Sequence, residues 1–227
     1  MHTTSPQIIP VELLLRAYRS GVFPMADHRA DHEVYWVEPR ERAIIPLDSL
    51  HVSKSLRKVL KQDRFRVSCD EAFPAVIEAC AQPREELAES WISHQIEASY
   101  IALQHAGHAH SIEVWLDDDL VGGLYGVAFD RVFCGESMFS RTSNASKVAL
   151  AWLVAAMQRA GYALLDCQFM TDHLGRMGAV AMPQSAYLER LASAQGWPRS
   201  SIPEAVAAAN AYSSPGNSIA QDLTQTS

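Results

Sequence analysis

Three consecutive segments in the second half of the chain show the alternation of β-strands and constrain the fold more than any other feature. They span residues 110–115, 120–128 and 131–136, and acidic turns at residues 117–119 and 130–131 separate them. Strands joined by such short turns pair in an antiparallel meander. Glycines at positions 122, 123 and 126 of the second strand predict a bulge, or the close approach of another backbone or a ligand.

Helical periodicity precedes and follows this meander. A short amphipathic helix begins at Pro10 and stops at Gly21, and a longer helix runs from Asn144 to a stop at Gly161. A further strand and two helices follow, up to residue 191. The pattern predicts an α+β protein with a small N-terminal α/β subdomain (residues 1–60) and a domain of mainly antiparallel sheet (residues 61–196). The Ser-, Pro- and Ala-rich residues 197–227 show little periodicity, which predicts a partly disordered tail.

The composition indicates a chain with a sizeable core and no membrane span. Of the 227 residues 48% are hydrophobic, yet the uncharged apolar runs are shorter than the roughly 18–20 residues that a span requires. No phosphate-binding glycine motif or Cys/His metal cluster is present, so we expect no cofactor and no metal. We also expect a cytoplasmic monomer. Its thiols should be reduced and buried, because no CxxC spacing occurs and each cysteine lies in an apolar run; the cysteines are Cys69, Cys80, Cys134 and Cys167.

A basic segment interrupts this acidic chain. The net charge is −7, but residues 53–66 carry a local charge of +5. Helical spacing would place most of these cations in one stripe, and the candidates are Lys54, Arg57, Lys58, Lys61 and Arg64. The stripe is either a contact for a phosphate backbone or a solvated helix face, and its spacing leaves both interpretations open.

Two apolar strands carry isolated polar side chains. Glu136 lies within the glycine-containing strand 133–140, and Asp166 and Gln168 lie on a second strand. At positions i and i+2 of an extended segment, Asp166 and Gln168 should face the same side. Burial without partners would cost roughly 1–3 kcal/mol for each group. The pattern therefore indicates either a functional site or a structural pair whose hydrogen bonds are satisfied.

Six segments occur in an order that resembles the leucyl/phenylalanyl-tRNA–protein transferases, and they span roughly residues 11–192. The segments are AYRSGVFP (17–24), GHAHSIEVW (107–115), GGLYGV (122–127), FCGESMFS (133–140), NASK (144–147) and DCQ (166–168). The resemblance implies transfer of Leu, Phe or Met from aminoacyl-tRNA to the α-amine of proteins that begin with Arg or Lys, which marks them for degradation by the N-end rule. It also implies an acetyltransferase-like (GNAT-like) C-terminal domain.

The resemblance also implies roles for individual residues. Asp166 and Gln168 correspond to the catalytic pair, and on chemical grounds we expect Gln168 to orient the attacking amine, because an amide does not titrate. Glu136 would bind the cationic acceptor. Trp91 and the basic stripe, from Lys54 to Arg64, would bind tRNA. A pocket for the transferred side chain would consist of Leu124, Phe133, Gly135, Met138, Leu150, Leu153 and Met157.

Other interpretations remain open at this point. An acyl-CoA-dependent N-acyltransferase would use a glycine-rich pyrophosphate loop at the start of a helix, whereas residues 141–147 contain no glycine. A non-catalytic tRNA or N-degron adaptor would tolerate loss of Asp166 and Gln168. Transfer of Leu to acidic N-termini is a further alternative, although Glu136 would repel such an acceptor. The chain also departs from the family pattern at Met25, where a Trp is common.

Overall fold

The structure, a computed structural model, describes residues 7–83 and 89–225. Its helices are α1 (Val11–Arg19), α2 (Lys54–Lys61), α3 (Phe73–Cys80), α4 (His94–His105), α5 (Ala145–Ala160), α6 (Asp172–Arg176), α7 (Gln184–Ser193), α8 (Ile202–Asn210) and α9 (Pro215–Gln225). Its strands are β1 (Phe23–Met25), β2 (Tyr35–Val37), β3 (Glu41–Ile45), β4 (Arg66–Cys69), β5 (Ala109–Leu116), β6 (Asp119–Phe129), β7 (Val132–Ser140), β8 (Leu164–Gln168) and β9 (Val180–Pro183).

Seven of the described strands form one mixed sheet in the order β4-β5-β6-β7-β8-β3-β9. Strands β5, β6 and β7 are antiparallel neighbours, which confirms the predicted meander. A bulge lies between Tyr125 and Gly126, where an added Cβ would lie 2.2 Å from the carbonyl oxygen of Cys134. Gly126 therefore permits the close backbone approach that its sequence position predicts. The protein is thus α+β with a mainly antiparallel sheet.

One parallel contact interrupts the antiparallel order. Strands β7 and β8 pair only from Val132 to Cys134 and from Leu164 to Asp166, and their remaining residues have no register with each other. The C-terminal halves of two adjacent parallel strands therefore separate in the middle of the sheet. Such a separation leaves a gap into which side chains from both strands can point.

Helices cover both faces of the sheet. Helices α2, α5, α8 and α9 belong to one apolar core, and α1, α3, α4 and α7 belong to the other. Helix α5 is apolar around most of its circumference, as expected of a helix enclosed by other elements. It ends at Gly161, whose φ of 79° supplies the left-handed residue typical of a helix C-terminus. This confirms the helix predicted from Asn144 to Gly161.

The prediction of a partly disordered tail is wrong for the residues up to 225. Helices α8 and α9 pack on α5 and bury Ile202, Val206, Ile219 and Leu223. A capping box between Ser201 and Glu204 starts α8, and the sequence Ser-Ile-Pro-Glu was the signal that could have revealed it. The physical reason for the order is the apolar outer face of α5, which needs a cover.

Strand β3 belongs to the large sheet although it lies in the N-terminal part of the chain. It pairs with β8 on one side and β9 on the other. The division of the chain at residues 60 and 196 stays a prediction, although the pairing of β3 places one strand of the predicted N-terminal subdomain in the large sheet. Strands β1 and β2 form a separate two-stranded sheet.

Candidate active site

A cavity of about 960 Å³ opens where β7 and β8 separate. Its wall combines the C-terminal half of β7, the end of β8, the first turns of α5 and the loop before α4. The polar side chains that line it from the strands include Glu136 and Gln168, and Trp91 and His173 line it from the loops and helices around them. The gap between the two parallel strands therefore supplies the space, and the sequence places polar groups at that gap.

Glu136 is buried and accepts hydrogen bonds from three elements. Its Oε1 accepts from Tyr18 Oη of α1 (2.8 Å) and from Gln168 Nε2 of β8 (2.8 Å), and its Oε2 accepts from Tyr100 Oη of α4 (3.3 Å). Burial raises the pKa of Glu136 to about 7, although the hydrogen bonds from Tyr18 and Gln168 act in the opposite direction. The hydroxyls of Tyr18 and Tyr100 are also in short hydrogen-bond contact, which competes with their bonds to Glu136 because each phenol has a single proton. The carboxyl is thus a buried group that changes charge near neutral pH.

Gln168 has a left-handed backbone conformation. Its φ is 61°, and such a conformation costs roughly 1–2 kcal/mol for a residue with a Cβ. Ala43 pairs with Gln168 and Ile44 with Asp166, so Cys167 is the extra residue of a bulge. The bulge interrupts the alternation of β8, and as a result Cys167 and Gln168 both line the cavity. The amide oxygen of Gln168 has no hydrogen-bond partner among the described residues.

Asp166 does not line the cavity, contrary to the expectation that it would share a surface with Gln168. It is fully buried and forms a two-bond ion pair with Arg42, with Nε to Oδ1 at 2.9 Å and Nη2 to Oδ2 at 2.6 Å. Tyr187 Oη donates to Oδ2 (3.0 Å), and the backbone N–H of Gln168 donates to Oδ1 (2.8 Å). Sequence reasoning missed Arg42; the signal it offered was a single Arg before the apolar run Ala43–Ile45.

Five of the seven predicted pocket residues line the cavity. These are Leu124, Gly135, Met138, Leu150 and Leu153. Phe133 and Met157 do not line the cavity, because both are fully buried in the core, Met157 on α5 itself, and their place in a side-chain pocket stays a prediction. Phe133 instead packs over Gly126. Sequence alternation alone does not distinguish an apolar side chain in a wall from one behind it.

Three basic side chains at or near the rim of the cavity, Arg141, Lys147 and Arg176, have no acidic partner among the described residues, and beside them His173 is favoured in its neutral form. His173 lines the cavity, and burial together with the charges of Lys147 and Arg176 lowers its pKa. Arg141 also lines the cavity and lies over the ring of Phe139 at 5.2 Å. Neither Arg141 nor Lys147 pairs with Glu136. Unpaired basic side chains of this kind favour the binding of an anionic ligand.

The predicted basic helix is confirmed as α2, but it does not line the cavity. Ser53 caps it by accepting from the backbone N–H of Leu56, and the buried side of the helix is formed by Leu56 and Leu60. Lys54, Lys58 and Lys61 are exposed, as is Arg64 beyond the helix end, and Arg57 is half-buried. The stripe therefore faces solvent on the side of the sheet that carries α5 and α9.

Within residues 7–83 and 89–225, no helix is long and apolar enough to cross a membrane. The same residues contain no group of three or more His, Cys, Asp or Glu side chains arranged to hold a metal ion. No disulfide joins the four cysteines, all of which lie within the described residues. Burial raises the pKa of the Cys167 thiol at the cavity wall, so this thiol is not activated as a nucleophile.

Comparison with known proteins identifies relatives along most of the chain. A family model described as leucyl/phenylalanyl-tRNA protein transferase matches residues 44–192, and a model of that enzyme's N-terminal domain matches residues 9–40. A protein named leucyl/phenylalanyl-tRNA–protein transferase from Novosphingobium aromaticivorans is 60% identical over 86% of this chain and 74% of its own length. One of the same name from Zymomonas mobilis is 56% identical over 82% of this chain and 70% of its own.

Solved structures are far more distant. A functionally unknown conserved protein from Staphylococcus epidermidis covers 78% of this chain and 66% of its own length at 12% identity, with a TM-score of 0.41. That similarity is too low to assign a fold, so the acetyltransferase-like assignment stays a prediction.

The family matches, by contrast, cover all the residues that form the cavity. The chain therefore belongs to the leucyl/phenylalanyl-tRNA–protein transferase family.

Proposed function

We propose that this protein transfers Leu, and also Phe or Met, from aminoacyl-tRNA to the α-amine of proteins whose first residue is Arg or Lys. Membership of the family supports the reaction class. The observation that carries the proposal is the cavity between β7 and β8, in which Glu136 and Gln168 are joined by a hydrogen bond beside an apolar wall. A cavity of this kind offers one site for a cation and one for an aliphatic or aromatic side chain.

The chemistry requires positioning more than strong acid or base catalysis. The α-amine attacks the ester carbon of aminoacyl-tRNA, the C–O bond breaks, and the proton lost by the nitrogen is gained by the ribose oxygen. A free α-amine has a pKa of about 7.7–8.0, so a useful fraction is neutral near pH 7. The amide oxygen of Gln168 can accept a hydrogen bond from that amine and orient its lone pair towards the ester.

Glu136 accounts for the preference for cationic acceptors in this proposal. A guanidinium or ammonium near its carboxylate would form a charge-assisted hydrogen bond and favour the ionised form. An Asp or Glu at the acceptor's first position would instead meet a buried like charge. The position of Glu136 at the cavity wall supports acceptance of Arg and Lys over acidic N-termini.

The donor's side chain and the donor's tRNA would occupy different parts of the site. Leu124, Met138, Leu150 and Leu153 form an apolar wall that suits side chains unbranched at Cβ. Trp91, which lines the cavity, would stack with the terminal base. The cationic rim would hold phosphates near the 3′ end, and the basic stripe of α2, Lys54 to Arg64, would contact the tRNA backbone further away.

The remaining parts of the proposal follow from the same family. Transfer of Leu to proteins with N-terminal Arg or Lys would mark them for N-end rule degradation in the cytoplasm, and the protein would act as a monomer without a cofactor. The separation of two parallel strands within a mainly antiparallel sheet supports an acetyltransferase-like architecture for the catalytic domain. The alternative acyl-CoA donor has no glycine-rich loop at the start of α5.

The proposal is tested by transfer of radiolabelled Leu from Leu-tRNA to four peptides that differ only in their first residue, Arg, Lys, Asp or Ala. We expect labelling of the Arg and Lys peptides by the wild-type protein. Glu136→Gln should reduce it at least about tenfold through KM for the peptide, since a charge-assisted hydrogen bond is lost. Glu189→Gln, which removes an exposed carboxylate on α7, is the matched control and should transfer normally.

Two results would contradict parts of this proposal. Labelling of the Asp peptide would refute the role of Glu136. Transfer from an acyl-CoA, with none from Leu-tRNA, would replace the donor class and favour the N-acyltransferase.

A further inference from the structure

The side chain of Arg42 is fully buried, and its neighbours stabilise the positive charge of the guanidinium in the core. The guanidinium lies between the rings of Phe23 and Tyr187, with its Cζ at 4.9 Å and 4.4 Å from the two ring centroids. Burial alone would lower the pKa of Arg42, but its two bonds with Asp166 raise it above the ordinary value. The side chain is therefore a permanent, rigid cation in the core.

One side of this guanidinium fixes Gln168. Arg42 Nε donates to Asp166 Oδ1, and the same oxygen accepts the backbone N–H of Gln168. That N–H belongs to the residue with the left-handed backbone, so the ion pair holds the bulge in its unusual conformation. The bulge directs Nε2 of Gln168 to Glu136.

The other side of the guanidinium fixes α1. Arg42 Nη1 donates to the carbonyl oxygen of Gly21 at 3.0 Å, just beyond the helix end, and Gln184 Nε2 donates to the same oxygen at 3.1 Å. Tyr18 lies three residues earlier, in the last turn of α1, and donates to Glu136 Oε1. Two donors to Glu136, Tyr18 and Gln168, are therefore each held by a different set of hydrogen bonds that includes Arg42.

Asp166 has no remaining capacity to meet a substrate. An ionised carboxylate offers about four acceptor positions, and here two are filled by Arg42, one by Tyr187 and one by the backbone of Gln168. The residue is also absent from the cavity wall. Its contacts thus run from Arg42 to Gln168 and do not reach the space in which the reaction would take place.

We propose that Arg42 is a positioning residue that sets the geometry of the Glu136–Gln168 pair, and that Asp166 acts through it rather than on the substrate. This inference rests on the proposed function for its kinetic consequences, but not for its structural ones. Arg42 falls between the two ranges matched by the family models, which end at residue 40 and resume at residue 44.

A lysine cannot replace Arg42 in this role. Its ammonium is a point charge that lacks the planar fork needed to bind both oxygens of Asp166 and the Gly21 carbonyl together. In Arg42→Lys we therefore expect the bulge and the end of α1 to relax and the donors to Glu136 to weaken. Weaker donors raise the pKa of the Glu136 carboxyl, because those hydrogen bonds favour its ionised form.

Several titratable and charged groups face Glu136 and would contribute to that titration. They are Tyr18 from α1, Tyr100 from α4, Tyr125 from β6, Cys134 from β7, Asp166 from β8 and Arg42 from β3. The phenols and the thiol have raised pKa values and stay neutral in the neutral range. The charge of Asp166 raises the pKa of Glu136, and the charge of Arg42 lowers it. Because Arg42→Lys keeps the positive charge, a shift of the Glu136 pKa in this variant reports chiefly the altered hydrogen-bond geometry.

The test follows the Glu136 carboxyl directly by NMR of protein labelled with ¹³C at the glutamate carboxyl carbons. The spectrum of Glu136→Gln identifies its resonance by difference. We expect the titration midpoint to rise by roughly one pH unit in Arg42→Lys, as one or two hydrogen bonds are lost. Arg159→Lys, in the α5–α9 ion pair with Asp222, is the matched control and should leave the midpoint unchanged.

A second variant separates positioning from simple stabilisation. Arg42→Met combined with Asp166→Leu replaces the buried ion pair by apolar groups, an exchange that often keeps or raises stability. We expect this folded double variant to lose at least about tenfold in kcat/KM for the Arg peptide and to have an altered Glu136 titration. Wild-type transfer and an unchanged midpoint would overturn the inference. If the wild-type protein transfers nothing, the proposed function fails while the NMR result still decides the role of Arg42.

Discussion

Replacing Glu136 by Gln should change how the stability of the protein depends on pH. The substitution keeps the volume of the side chain and an oxygen that can accept from Tyr18, but it removes the ionisation. Burial raises the pKa of Glu136 from an ordinary value of 4.5 to about 7 in the folded protein. The charged form is therefore disfavoured by folding, and the amide never becomes charged.

The sign and size of the effect follow from these two pKa values. The folded state retains its proton up to about pH 7, whereas the unfolded chain loses it near pH 4.5. The stabilisation is fully present below the unfolded pKa and is lost as the pH rises through the folded one. The gap between the two values corresponds to roughly 3 kcal/mol of unfolding free energy. The wild-type protein should lose this amount relative to Glu136→Gln between about pH 4.5 and about pH 8.

Urea unfolding at about pH 5 and about pH 8 measures the effect as a double difference between wild type and variant. Glu189→Gln is the control, because it removes one exposed carboxylate and changes the net charge equally. Between these two pH values, we expect the free energy of unfolding of Glu136→Gln to fall by roughly 2–3 kcal/mol less than that of the wild type. That of Glu189→Gln should change with pH as the wild type does. Parallel curves for all three proteins would refute the reasoning.

Three further changes test other parts of the structure. Gly126→Ala would place a Cβ 2.2 Å from a β7 carbonyl oxygen, so we expect urea titrations to show a loss of about 1–3 kcal/mol. Gly135→Ala, with its nearest atom at 3.5 Å, should show little loss. Lys147→Ala with Arg176→Ala should reduce the slope of log Kd against log salt for tRNA binding by about one to two; an unchanged slope would place the phosphates elsewhere. A chain ending at residue 200 should lack a cooperative thermal transition, because α8 and α9 no longer cover α5; a sharp transition would contradict this.

Local patterns predicted the elements that depend on neighbouring residues. The meander followed from alternation and short turns, and helices α2 and α5 followed from spacing, caps and a terminal glycine. Helices α8 and α9 were missed because their short apolar faces, such as Ile202 and Val206, become meaningful only opposite α5. The weak helical pattern of these residues forms helices because they pack on α5, which lies about fifty residues earlier in the sequence.

The candidate site was predicted in part. Glu136 and Gln168 were identified as polar residues in apolar strands, and the structure brings them to the same cavity. The orientation of Asp166 was not predictable, because the bulge at Cys167 depends on the pairing of β8 with β3. Arg42 was missed since its role arises from a contact with a residue 124 positions away.

The sequence by itself determined the residue types of the site and the family, because strand alternation, helix caps and ordered motifs are local properties of the chain. Only the tertiary structure decided which of those residues meet. The separation of β7 from β8 opens the cavity, and the bulge in β8 turns Gln168 towards Glu136 and leaves Asp166 behind with Arg42. These arrangements depend on strand register and on burial of charge between distant segments, and neither is encoded in the spacing of neighbouring residues.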